Sequence, residues 1–174
     1  MKKNILIGAI CALFALGMTS CGLTDSEQAE KDLTGAKKGW VLTAATSSPA
    51  YLPSDGGSYP DLMDGYLYDF EKDDVIIYLE DGNIDIEPGS DLPSVGKLGY
   101  SKRENIGKWS FVGEDTKVLN TQIPFFYDDE VEQVKVHELN SKKLRVSYTF
   151  IEDDEQDPAK ATREYTFTLT YEPK

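Results

Sequence analysis

Beyond Trp40 the chain alternates between apolar and polar residues. Tyr165, Phe167, Leu169 and Tyr171 are separated by Thr166, Thr168 and Thr170, so the segment has one apolar and one hydroxyl face. That period of two is the mark of a half-buried β-strand. Leu144, Val146, Tyr148 and Phe150 alternate with Arg145, Ser147 and Thr149 in the same way. Val134-Lys135-Val136-His137 forms a strand before them, and ELNSKKL supplies the turn. An acidic loop from Glu152 to Lys160, containing Pro158, separates the last two strands. The pattern predicts three antiparallel strands in a meander.

Earlier strands are less regular. The pattern places them at Trp40–Ala45, Tyr66–Phe70, Val75–Glu80, Asn83–Ile86, Gly107–Val112 and Val118–Ile123. Glu71-Lys72-Asp73-Asp74 and Asp81-Gly82-Asn83 read as hairpin connections, the second by the turn chemistry of Asp-Gly. Ser47 to Asp61 and Pro88 to Gly99 are rich in Ser, Pro, Gly and Tyr and read as long loops. No amphipathic helix of three turns follows Lys38. Short strands with a turn roughly every ten residues predict an all-β fold, either a closed antiparallel barrel of about eight strands or a β-sandwich.

The first residues follow a different plan. Met1-Lys2-Lys3 is basic, Ile5 to Leu16 is apolar, and Gly17 to Cys21 is small and neutral apart from Met18. An apolar run shorter than the ~20 residues of a membrane span, behind a basic head, is the layout of a secretory signal peptide. Leu16-Gly17-Met18-Thr19-Ser20-Cys21-Gly22 resembles the lipobox of bacterial lipoproteins. The resemblance implies cleavage before Cys21, with diacylglycerol on its sulfur and acylation of the new amine. Several acyl chains hold a protein stably at a membrane where one does so only marginally. The other cysteine, Cys11, lies in the segment to be removed, so the mature chain has no disulfide. The expected organisation is a signal peptide over 1–20, an acidic tether over 21–38 and one β domain over 39–174. Within the tether, Ser26 can cap a helical turn, but the segment has few apolar residues to bury. Acidic residues just after the lipidated cysteine also resemble surface-export signals of Bacteroidetes-type lipoproteins. The expected location is the outer membrane, on its periplasmic or cell-surface side.

Charge narrows the partners. The whole chain carries a net charge of −13, and loss of Lys2 and Lys3 makes it −15. Such a balance opposes nucleic acid and anionic lipid headgroups.

A second resemblance spans most of residues 33–174. Leu33-Thr34-Gly35, then Gly39-Trp40-Val41-Leu42-Thr43, open the domain, and Ile106-Gly107-Lys108-Trp109-Ser110-Phe111 recurs in its middle. With the closing meander, these look like the lipocalin-like domains of Bacteroidetes lipoproteins. The resemblance implies an up-and-down barrel.

Candidate chemistry is sparse. His137 is the single histidine, and no nucleophile elbow accompanies it. Three-histidine and cysteine-rich zinc sites are excluded by residue count. Asp85 and Glu87 share a strand face, and Asp128-Asp129-Glu130 and Glu152-Asp153-Asp154-Glu155 are acidic runs. Paired carboxylates serve glycoside hydrolysis only in a cleft that raises one pKa. Asp81-Gly82-Asn83-Ile84-Asp85 offers oxygen ligands for calcium without EF-hand spacing. No enzyme activity and no cofactor are expected. The ten Tyr, seven Phe and two Trp say more. Tyr66, Tyr68 and Phe70 fall on one predicted strand face, as do Trp109 and Phe111, and together they form the candidate binding site for a small apolar ligand. The alternative is a filled core, with loop residues Tyr51, Tyr59, Tyr100 and Phe125-Phe126-Tyr127 contacting an envelope protein or glycan.

Overall fold

A computed structural model of the chain describes residues 25–53, 56–91, 101–113, 116–123, 131–152 and 162–174. The elements in chain order are α1 (Asp25–Gly35), β1 (Trp40–Tyr51), β2 (Tyr59–Asp61), α2 (Asp69–Asp73), β3 (Val75–Tyr78), β4 (Asn83–Glu87), β5 (Glu104–Lys108), β6 (Ser110–Phe111), β7 (Val118–Ile123), β8 (Val131–Asn140), β9 (Lys143–Glu152) and β10 (Arg163–Pro173). Among the described residues no helix is long and apolar enough to cross a membrane.

All strands join one antiparallel sheet in the order β5-β4-β3-β1-β10-β9-β8-β7-β6, with β2 added to β1. β5 and β6 stand at opposite ends of that order, yet only Trp109 separates them in the chain. One bent stave therefore serves both edges: β5 pairs with β4, and β6 pairs with β7. Counting β5 with β6 as one and β2 as a ribbon on β1, eight staves run up and down in chain order and nearly close into a barrel. At this stave count side chains can fill the interior.

The closing meander follows the alternation. Tyr165, Phe167, Leu169 and Tyr171 are buried, whereas Thr166 is exposed and Thr168 and Thr170 are half-buried. Their partners across β9 run from Tyr165↔Phe150 to Tyr171↔Leu144. Trp40, Leu42, Ile84, Leu119, Val134 and Val146 complete one continuous core.

Four expectations need correction. Tyr66–Phe70 is not a strand. Tyr66 to Leu67 ends a turned segment after Gly65, whose φ of +112° suits only glycine. The chain then enters α2, where the Glu71 carboxylate accepts the Tyr68 amide N–H at 2.6 Å. The Glu71 N–H donates back to the Tyr68 carbonyl at 3.0 Å, and this pair of contacts starts a helix, so Glu71–Asp74 is not a hairpin connection. Burial is also inverted: Leu67 is buried, Tyr66 half-buried and Tyr68 exposed. The stretch from Ser47 is not a loop throughout, since β1 continues to Tyr51 and pairs with β2. Gly107–Val112 is two strands that change partner at Trp109, whose N–H is bound by the Gly82 carbonyl at 2.9 Å.

The fourth correction concerns the tether. Asp25–Gly35 is an α-helix, and its Leu33 is fully buried. The Leu33 carbonyl accepts the Trp40 indole N–H at 2.8 Å in a buried hydrogen bond. α1 touches both β3 and β8, which stand on opposite sides of the eight-stave ring. The helix thus lies across one end of the barrel. Gly39 makes the turn from helix to strand: its φ is +88°, and a Cβ there would fall 2.3 Å from Val75 Cγ1 and 2.8 Å from the Ile76 carbonyl oxygen.

The two ends differ. The end under α1 has the tight turns, Leu79–Asn83 and Ser141-Lys142. The Asp-Gly hairpin forms as expected: Gly82 has φ +80°, and Asp81 Oδ1 accepts the Asn83 amide N–H. At the other end, the loop end, strands β1, β4, β7 and β9 finish. Tyr100, Phe125-Phe126-Tyr127 and most residues of the acidic runs at 128–130 and 152–155 lie outside the described residues.

Candidate functional site

Of the five aromatic residues expected to share one cavity, Tyr66 lies at one barrel end and Trp109 and Phe111 at the other. Tyr66 belongs to the loop end. Its ring meets Tyr51 edge-on at 5.0 Å and Tyr59 at 5.4 Å. Tyr51, the last residue of β1, also packs against Tyr165 at 5.1 Å, Phe167 at 5.6 Å and Phe150 at 6.3 Å. These are favoured edge-to-face separations. Burial, followed by a hydrogen bond with Tyr66, pushes the Tyr51 phenol well above its ordinary pKa. Tyr68 points outward and is 49% exposed. Phe70 lies in α2, and its side chain is outside the described set.

Trp109 and Phe111 belong to the helix end, with rings 6.0 Å apart. Trp109 also meets Tyr78 edge-on at 6.1 Å. Its indole N–H donates to the Leu79 carbonyl at 2.9 Å, which fixes the ring plane. β3 runs beside the first residues of β1, with Trp40 opposite Ile76. Tyr78 and Tyr51 are therefore separated by nearly the whole of β1, on the order of 30 Å at a strand's rise per residue.

Beside the helix-end group the interior holds a polar spot. Tyr78 OH and Thr121 Oγ1 are 3.2 Å apart and buried. Burial pushes the Tyr78 phenol up to about 12, although its Thr121 contact works the other way. Burial also raises Tyr171 well above its ordinary value, reinforced by Tyr78 and Tyr148 nearby.

Outside the barrel, a cavity of about 240 Å³ opens at the helix end, lined by Glu27, Glu30, Lys31 and Thr34 of α1, Glu80 of the β3–β4 turn, and Trp109. Sequence reading reached Trp109 but missed the other five. Four of them lie on α1, far in the chain from Glu80 and Trp109, and only the docking of α1 brings the two groups together.

The other candidate groups have structural partners. Arg103 binds Asp85 Oδ2 through Nε at 2.9 Å and Nη2 at 2.8 Å, and its Nη1 lies 3.9 Å from Glu87. The carboxylate pair is thus bridged by a guanidinium. Asp81 is held below its ordinary pKa, first by the Asn83 amide. His137 sits at a register shift in β8, with Nε2 2.7 Å from Ser147 Oγ. Partial desolvation, then Lys135 and Arg145, lower its pKa. A triad base instead has a carboxylate behind it that stabilises the imidazolium. Asp73 Oδ2 accepts three hydrogen bonds, from Ser90 N, Ser90 Oγ and Asp91 N, at 2.6–3.0 Å. Beside it, burial raises Asp74 to about 6, opposed by the Gly89 amide and reinforced by Asp73 and Glu71. Among the described residues no group of His, Cys, Asp and Glu is placed to hold a metal ion.

No family model, no curated protein and no solved structure matches this chain.

Proposed function

We propose that this protein is a lipid-anchored, non-catalytic module of the bacterial outer envelope. Acyl chains on Cys21 hold it to the membrane, and the loop end of the barrel meets an envelope protein or glycan. The lipobox resemblance supports the anchor, and the position of α1 supports the orientation. Only three residues separate Cys21 from Asp25, and four Cα steps reach at most ~14 Å. The helix-covered end then faces the bilayer, and the loop end with Tyr68, Leu52 and Ile151 exposed faces away.

One observation favours a partner over an enclosed ligand: Tyr51, Tyr66, Phe150, Tyr165 and Phe167 pack ring against ring at the loop end. An apolar guest entering there would have to displace them. A second reading, a small ligand inside the barrel, draws on the buried hydroxyls of Tyr78, Tyr171 and Thr121. Titration with a fluorescent fatty acid separates the two. A partner-binding module leaves tryptophan emission without a saturable change. Saturable quenching by energy transfer to the probe, abolished by a bulky substitution at Thr121, would replace this reading with the interior-ligand one.

A further inference from the structure

We propose that the cavity between α1 and the barrel's turn end binds a small organic cation, an ammonium or quaternary ammonium group, against the face of Trp109. Three features carry this. The cavity is lined from three separate elements, by Trp109 together with Glu27, Glu30 and Glu80. A cation over an indole face, within ~6 Å of its centroid, is attracted by the ring quadrupole, and most strongly where water is partly excluded. Trp109 is half-buried and held in plane by its bond to the Leu79 carbonyl, so the indole loses little freedom on binding. The lining also contains Lys31 and the Thr34 hydroxyl, which donates to the Glu30 carbonyl at 2.9 Å. Three carboxylates against one lysine leave the lining net negative. The volume of about 240 Å³ lies below the ~300–1,000 Å³ of drug-sized sites. That volume suits a head group.

The site does not depend on the anchor at Cys21 or on the use of the loop end. Ammonium groups reach it from two sources, a free amine or a zwitterionic lipid headgroup.

The test uses the full chain in a neutral maltoside detergent, with the two indole N–H resonances followed by NMR. Trp40 is fully buried at a different bond and serves as the internal reference. Choline should shift the Trp109 resonance saturably and leave Trp40 almost unmoved, and 3,3-dimethylbutan-1-ol, its uncharged isostere, should not. Glu80→Gln, at an exposed turn position, should weaken choline binding several-fold, and Lys31→Gln should strengthen it several-fold. Nanodiscs of phosphatidylethanolamine against phosphatidylglycerol then assign the source. A Trp109 shift with the first lipid and not the second identifies a headgroup, and a shift with free choline alone identifies a soluble amine. Equal shifts from choline and its neutral isostere, no saturable shift, or indifference to both Glu80→Gln and Lys31→Gln would overturn the proposal.

Discussion

Truncating Phe167 to Ala removes the ring on which the loop end of the barrel is packed. Phe167 has no exposed surface, and its ring centroid lies 5.4 Å from Tyr148, 5.6 Å from Tyr51, 5.7 Å from Phe150 and 6.2 Å from Tyr165. Burial of a phenylalanine contributes transfer free energy, and a rigid aromatic surround collapses poorly into the space left. Phe→Ala changes in such sites cost about 3–5 kcal/mol. Each aromatic contact adds ~0.5–1.5 kcal/mol beyond area, which places the loss at the upper end of that range. Against the ~5–15 kcal/mol of a typical domain this is a large share. Thr168 is the control, because it is adjacent, half-buried and on the opposite face. Thr168→Ala should cost less than ~1 kcal/mol. Urea unfolding followed by far-UV circular dichroism measures both, with unchanged m-values showing that the same surface is exposed. Similar losses at the two positions would refute the register of β10 and with it the placement of the core.

Three further substitutions probe the parts that position the sites. Gly39→Ala should destabilise by about 2 kcal/mol or more, since it adds backbone strain at positive φ to a collision with the Ile76 carbonyl; a neutral result in the same unfolding assay would contradict the helix-to-strand turn. Trp40→Phe should leave the Leu33 carbonyl without its buried donor, at ~1–3 kcal/mol, and hydrogen exchange should show α1 amides losing protection before those of β9 and β10. Asp74 has a folded pKa of about 6 against 3.8, so its carboxylate opposes folding above pH 6 and that penalty fades as pH falls towards 4. Asp74→Asn should therefore be more stable than the parent at pH 7, and the difference should shrink by pH 4; a pH-independent difference would remove Asp74 as its source.

The alternation of residues made the barrel legible, because a strand half-buried against one core must repeat every two residues. Tyr165 to Tyr171 and Leu144 to Phe150 follow that rule along their whole length. Tyr66 to Phe70 obeyed the same pattern and was misleading. Gly65 and the Tyr68–Glu71 contact are local turn and capping chemistry, and over five residues they outweigh an alternation that a short turn can mimic. α1 was less visible for a different reason. Its mean composition is polar, and it is held by Leu33 together with a hydrogen bond from Trp40, a contact that only the folded chain makes. The same docking creates the cavity around Trp109, so its acidic wall was unreadable before α1 was placed. Tyr66 and the Trp109–Phe111 pair lie in separate ring clusters, because alternation alone does not say at which end of a barrel a face lies.

The role proposed for this protein depends most directly on Cys21. Metabolic labelling with an alkyne-tagged palmitate, in cells producing the parent chain and Cys21→Ala, tests it in one gel. The expected result is a labelled, membrane-bound parent of the processed size and an unlabelled, unprocessed Cys21→Ala chain. Equal labelling of both, or a parent chain that is never labelled, would contradict the lipid anchor and the orientation of the barrel derived from it.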